Sequence, residues 1–123
     1  MANPNIVNAT SIVGNSLSVA VATSATQLAS NAASSGKVFK INSIVIANID
    51  GTSAADITVN IYSAAALGGT AIAIASTISV PADASLIVTD KTTSFYLLEN
   101  QSIGAIAGAA NDLVATISFE EIT

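Results

Sequence analysis

The side chains that could do chemistry in this sequence are almost all carboxylates. Of 123 residues, eight are acidic and three are lysines, and there is no histidine or cysteine. The acidic residues are Asp50, Asp56, Asp83, Asp90, Glu99, Asp112, Glu120 and Glu121. Two carboxylates close together could act as general acid and base, as they do in glycosidases. Most of these residues, however, lie in predicted turns or at strand ends, where an aspartate commonly accepts backbone N–H bonds.

The residues that other common types of catalysis require are absent from the sequence. Without histidine there is no Ser-His-Asp triad, and without cysteine there is neither a thiolate nucleophile nor a cysteine-ligated metal. Calcium could use oxygen ligands from the segment Asp50–Asp56, but its spacing differs from an EF-hand loop, so a turn with a capping aspartate is favoured. We therefore predict no catalytic residue, no metal site and no bound cofactor.

The net charge of the chain limits the kinds of partner that it can bind. The net charge is −5, and Lys37, Lys40 and Lys91 are the only cationic side chains. Nucleic acids and anionic membranes both need clustered positive charge, so neither is an expected partner. The first residues lack the basic and apolar regions of a signal peptide, and the longest near-apolar stretch, 64–75, is too short to span a bilayer. These features favour synthesis in a cytoplasm.

Period-2 alternation of apolar and polar residues dominates the chain and predicts strands. The clearest run is Ile57–Tyr62, and longer runs cover Val38–Ile49, Ile72–Val80 and Leu113–Glu120. In the run Val38–Ile49, one face is predicted to carry Phe39, Ile41, Val45, Ala47 and Ile49, and the other Ile44 and Ile46. Shorter strands are predicted at Ile6–Val13, Leu17–Thr23, Thr26–Ala29, Leu86–Thr89, Phe95–Leu98 and Ser102–Ala107.

Turn residues, including Gly14-Asn15, Asp50-Gly51 and Gly68-Gly69, separate these runs. The pattern predicts an all-β protein: a single-domain antiparallel β-sandwich, jelly-roll-like, with about eight or nine strands. Residues 1–15 are expected to form an N-terminal arm or the first strand, a frayed terminus being the alternative, and residues 16–123 the sandwich.

The amino-acid composition indicates that the protein associates with other subunits. With 51% hydrophobic and only 9% charged residues, some Ala, Ile and Val side chains must face outward. We expect partner subunits to cover part of this surface, although an alanine-rich exposed surface is the alternative. The candidate inter-subunit contact residues are those of the predicted arm: Asn3, Pro4, Asn5, Ile6, Val7 and Ile12.

Four segments of the sequence are similar to those of a known group of proteins: "MANPNIVNATSI", "GKVFKINSIVIANIDGTSAADITVNIY", "IASTISVPADASLIVTDKTTSFYLLENQSI" and "NDLVATISFEEI". Together they resemble short virion structural proteins of tailed bacteriophages of aquatic bacteria, cyanophages among them. The resemblance covers nearly the whole chain and consists of strand and turn phrases. It implies a jelly-roll or sandwich homo-oligomer, with a trimer favoured, in a virion assembled in the host bacterial cytoplasm. The implied partner is a major capsid protein or another virion protein.

These observations lead to a ranked set of functional hypotheses. The first is a non-enzymatic capsid decoration or cement protein that stabilises the head lattice. The second is a structural protein of the tail, neck or a fibre. A glycan-binding module, using Tyr62 and Tyr96, is the third, and an enzyme with two carboxylates is the last.

Overall fold

The computed structural model describes residues 4–123, and within them the chain forms nine β-strands and no α-helix. Two single 3-10 turns, Ile6–Asn8 and Lys91–Thr93, accompany the strands. The strands are β1 (Ile12–Ala20), β2 (Thr26–Asn31), β3 (Val38–Asn48), β4 (Ala55–Ala64), β5 (Gly68–Val80), β6 (Ser85–Thr89), β7 (Phe95–Leu97), β8 (Gln101–Ala107) and β9 (Leu113–Ile122). Neither helical turn could cross a membrane.

The strands form two antiparallel sheets. One has the order β1-β9-β3-β6, with the short β7 pairing further along β3, and the other has the order β2-β8-β4-β5. The chain passes repeatedly from one sheet to the other, as in a jelly roll. The predicted all-β sandwich of about eight or nine strands is thus confirmed.

The core lies between the sheets and is mostly isoleucine, leucine and valine. Alternation places one face of each central strand inward, so that Ile57 and Val59 of β4 are fully buried while Asp56 is exposed. The other residues without any exposed surface include Ile41, Ile44, Ile46, Leu97, Ile103 and Ile117.

The predicted faces of β3 are wrong in part. A β-bulge between Ile41 and Ser43 adds one residue, Asn42, relative to β9. Because an extra residue reverses the parity of all that follow, Ile44 and Ile46 face the core together with Ile41, whereas Ile49 is exposed. Alternation alone could not reveal the bulge, since it is defined by the partner strand.

The first strand also differs from its prediction. The predicted Ile6–Val13 strand begins only at Ile12, and the predicted turn at Gly14-Asn15 lies inside β1, as does the expected division between residues 15 and 16. Gly14 and Asn15 pair with Glu120 and Phe119 of β9. The Asn15 amide donates to the Glu121 carboxylate, so an Asn suited to a turn is instead satisfied within a ladder.

Candidate assembly surfaces

The carboxylates serve mainly to hold loops in place. Asp50 Oδ1 accepts from the backbone N and from Oγ1 of Thr52, each at 2.9 Å. Asp90 Oδ1 accepts from Thr92 Oγ1 at 2.6 Å and from its backbone N at 2.9 Å. The backbone bond from Thr52 lowers the pKa of Asp50 most, and the side-chain bond from Thr92 does so for Asp90. Both are charged turn caps.

Three glutamates bond groups that are distant in sequence. Glu121 lies 3.1 Å from Lys37 Nζ, and Glu120 accepts from the Asn42 amide at 3.1 Å. Glu99 accepts from the backbone N of Gly36 at 2.8 Å. Within residues 4–123, no three His, Cys, Asp or Glu side chains are grouped so that they could hold a metal ion. The segment Asp50–Asp56 has a bend at Gly51-Thr52, and its last two residues begin β4.

A long uncovered apolar feature of the fold is strand β5. It is the edge of its sheet, it has β4 on one side, and only Ala75 and Val80 among its residues are buried. Six consecutive residues, Gly69–Ile74, are exposed, so both faces of the strand are uncovered there. We call residues 69–74 the β5 edge segment. Proteins usually protect such an edge with charges, prolines or a covering loop.

The opposite sheet explains why this segment is uncovered. Ile72 lies opposite Ile61, and Ile61 packs against the core, so Ile72 is on the side of its sheet that faces the interior. Nevertheless Ile72 is 62% exposed. The strands of the other sheet that approach β5 are β6 and β3, and β6, at the edge of that sheet, has 5 residues against 13 in β5. Strand β5 therefore extends beyond the sheet that would cover it.

The turn before β5 is firmly anchored. The backbone N–H groups of Ala65, Ala66 and Leu67 donate to Asn100 Oδ1, Ser30 Oγ and Ser102 Oγ at 3.1, 2.9 and 2.8 Å. Ala66 and Leu67 both have positive φ. Three side chains from other parts of the fold therefore hold this turn, which presents the β5 edge segment in a defined position.

The Leu67 side chain covers the outer face of its own sheet. A Cβ added at Gly104 would lie 2.8 Å from Leu67 Cδ2 and 3.0 Å from Tyr62 Cε1. Gly104 thus permits the close approach of these two side chains. Tyr62 is buried by this packing, so of the two tyrosines considered for stacking a sugar only Tyr96 is exposed.

A second apolar surface surrounds the amino-terminal segment. Pro4, Ile6, Val38, Tyr96 and Leu98 line an open groove. Ile6 is exposed and Val7 is 86% exposed. Thr10 N and Thr123 N bond backbone carbonyls of Thr123 and Ser11, which ties the segment to the carboxyl terminus.

Five of the six residues predicted for inter-subunit contact lie in the amino-terminal segment or at the start of β1. Asn5 caps the 3-10 turn by accepting from Val7 N at 3.0 Å. Ile12 begins β1, opposite Ile122, and is exposed. Pro4, Ile6 and Val7 lie at the groove or beside it, while Asn3 lies outside the described residues. Their role in contacting a partner stays a prediction.

Sequence reasoning missed two buried asparagines. Asn48 Nδ2 donates to Ser53 O and Val80 O at 2.9 Å each, and its Oδ1 accepts from Asp50 N. Asn31 Nδ2 donates to Lys37 O and Leu97 O at 2.9 and 3.2 Å. Each joins loops that are distant in sequence. The one available signal was an Asn at a strand end before turn residues, which also fits an exposed position.

Comparison with known proteins supports the fold alone. No protein-family model and no curated protein matches the chain. In fold it is similar to a solved structure described as "Bacillus endospore appendages form a novel family of disulfide-linked pili". The similarity covers 100% of this chain and 96% of the other, with a TM-score of 0.54 and 18% identity.

Proposed function

We propose that this protein is a non-enzymatic structural subunit that acts in many copies within a larger assembly. The observation that carries the proposal is the long, uncharged and uncovered edge of β5. An exposed apolar strand edge presents free backbone donors and acceptors as well as apolar side chains, and it promotes association unless a partner covers it.

The assembly that we favour is the virion of a tailed bacteriophage, in which the protein decorates the head. The support is the resemblance of its strand and turn phrases to short phage virion proteins, together with the groove beside Pro4 and Ile6. A decoration protein needs only modest contacts, since many copies and closed symmetry multiply their effect. In this proposal the amino-terminal segment contacts a major capsid protein or a neighbouring copy in a trimer.

Labelling of particles tests this proposal directly. An antibody raised against the purified protein is applied to phage particles from cells that encode the chain, and the gold label is located by electron microscopy. We expect label on heads and, by quantitative mass spectrometry, on the order of hundreds of copies per particle. Label on tails, or a dozen or so copies, would move the protein to the tail, neck or a fibre, and its absence from purified particles would overturn a virion role.

A second candidate is a subunit of an extracellular fibre. The similarity over 100% of this chain to a protein of disulfide-linked pili favours it. This chain contains no cysteine, so its fibre would depend entirely on non-covalent contacts. Concentrating the purified protein tests this candidate, because regular filaments in negatively stained micrographs would support it and discrete closed oligomers would contradict it.

A further inference from the structure

We infer that two copies of this protein pair through their β5 strands, antiparallel and edge to edge, so that one sheet continues across a two-fold axis. The inference deepens the proposed function and rests on it, since it names a contact between copies that is additional to the one proposed for the amino-terminal segment. It is carried by the backbone geometry of the β5 edge segment, by the distribution of charge along the chain and by the sequence of β5 itself.

The backbone of β5 is free to pair. It has 13 residues, the longest strand among residues 4–123, and its outer edge adjoins no other strand there. Alternate residues of an edge strand direct N–H and C=O groups outward. One bulge interrupts its ladder with β4 beside this segment, where Ile74 is an extra residue between the pairs Val59–Ala75 and Asn60–Ala73.

Charge favours a second copy at this edge. No charged residue occurs between Asp56 and Asp83, a stretch that includes the whole of β5. Because the chain carries a net charge of −5, two copies repel each other over most of their surface. The uncharged strand β5 is therefore where they can approach with little repulsion.

The other long exposed edge is less suitable for self-pairing. Strand β1 also lacks buried residues, but its neighbour β9 carries Glu120 and Glu121 along the same ladder. Pairing β1 with itself would place more negative charge near the contact than pairing β5 does, even though Lys37 lies 3.1 Å from one of the two carboxylates, that of Glu121. Like charges close together oppose such a contact.

The sequence of β5 is self-complementary. In an antiparallel pair centred on Ala73, Ile72 lies opposite Ile74 of the partner subunit, and this pair occurs twice. Ala73 lies on the axis. Beyond it the bulge at Ile74 places Ala71 and Ala75 on different faces, opposite Tyr62 and Val59, so the match is confined to Ile72–Ile74. Isoleucine then faces isoleucine, the alanine on the axis faces its own copy, and the matched segment Ile72–Ile74 contains no polar side chain. Pairing of the two strands would also bury the exposed surface of Ile72.

A matched pair of lysine variants of the full chain tests the contact. Ile72→Lys places a charge in the proposed interface, whereas Ile87→Lys places one on β6 at an almost equal exposure, 61% against 62%. We expect Ile72→Lys to raise the dissociation constant of the pair at least about tenfold in sedimentation velocity, and Ile87→Lys to leave it unchanged. Equal effects of the two variants, or none from Ile72→Lys, would overturn the inference.

Cysteine variants test the register and do not depend on the lysine variants folding. The chain has no native cysteine, so a single substitution gives a single thiol. Ala73→Cys places two thiols opposite each other across the axis, within the Cα separation of a disulfide, and we expect a covalent dimer under mild oxidation. Ala71→Cys places them about four residues apart along the strands, and we expect little cross-linking. Cross-linking of Ala71→Cys as fast as Ala73→Cys would contradict the proposed register.

These outcomes separate the inference from the proposed function. If the wild-type protein forms oligomers that Ile72→Lys does not weaken, the protein still acts in many copies and the β5 contact is wrong. If the wild-type protein is monomeric at every concentration tested, the β5 contact is likewise wrong. The proposed function is then decided by the particle labelling alone.

Discussion

Ile61 and Ile72 lie directly opposite each other on β4 and β5, yet Ile61 packs against the core while Ile72 is 62% exposed. Adjacent positions on the same side of one sheet therefore have different environments. The difference accords with the edge of the opposite sheet, where β6 and β7 are each much shorter than β5. This overhang separates residues that stabilise the fold from residues available for association.

Alanine substitutions should separate these two roles. Ile57→Ala removes a side chain with no exposed surface, and we expect it to lower the free energy of unfolding by about 2–5 kcal/mol. Ile72→Ala should change it by no more than about 0.5 kcal/mol, because the side chain is mostly in water already. Urea denaturation at low protein concentration, where association is weak, measures both. Similar losses in the two variants would show that Ile72 is buried in the isolated subunit.

The buried amide of Asn48 should be a strong stabilising group. Asn48→Ala removes two donated bonds and one accepted bond, leaving Ser53 O, Val80 O and Asp50 N without that partner, and should cost about 1–3 kcal/mol.

Asn42→Ala is the matched control for Asn48→Ala. It removes one partly exposed bond to Glu120 and should cost less than about 1 kcal/mol. Thermal unfolding of both variants tests the prediction, and a larger loss from Asn42→Ala than from Asn48→Ala would contradict it.

Two glycines offer a second matched pair. Gly104→Ala forces a methyl group against Leu67 and Tyr62, so we expect a loss of about 1–3 kcal/mol from displaced packing. Gly14→Ala meets no atom within 4 Å and should be neutral or slightly stabilising, since alanine reduces the freedom of the unfolded chain. Denaturant midpoints of the two variants give the comparison. Equal destabilisation by the two variants would show that Leu67 and Tyr62 can move aside and that their packing does not require glycine at position 104.

Acidification should weaken the turns capped by Asp50 and Asp90. Their pKa values lie below the ordinary 3.8, chiefly through bonds from Thr52 and Thr92, so the folded state favours the charged form. The stabilisation is complete above the ordinary pKa and is lost as the pH falls through the lowered folded values.

Replacing both aspartates by asparagine should therefore flatten this dependence. Melting temperatures at about pH 6 and about pH 2.5 should differ less in the double variant Asp50→Asn, Asp90→Asn than in the wild type. The variant pair Thr52→Val and Thr92→Val removes the hydroxyl donors and should flatten the dependence in the same direction. An unchanged acid loss in the aspartate variant would assign it to other carboxylates.

Prediction from sequence succeeded where the signal is local. The alternation of Ile57, Thr58 and Val59 correctly predicts a strand with one buried face, because side chains on any strand point to opposite sides in turn. It failed at Asn42 and at Gly14. A bulge is defined by the register with a partner strand, and an Asn in a ladder is acceptable when a distant Glu121 accepts its amide proton.

The sequence alone determined that this protein is an all-β sandwich whose composition lacks the histidine and cysteine that much catalysis requires. It also determined that few charges are available to cover its surface. Only the tertiary structure decided which long apolar strand lies at the edge of a sheet and which isoleucines are not covered by the opposite sheet. Period-2 alternation reports that a strand has an apolar face, but burial depends on the length and position of the opposite sheet, which contacts distant in sequence establish. That is why Ile57 stabilises the fold, whereas Ile72, on the same side of the same sheet, is available to a second copy.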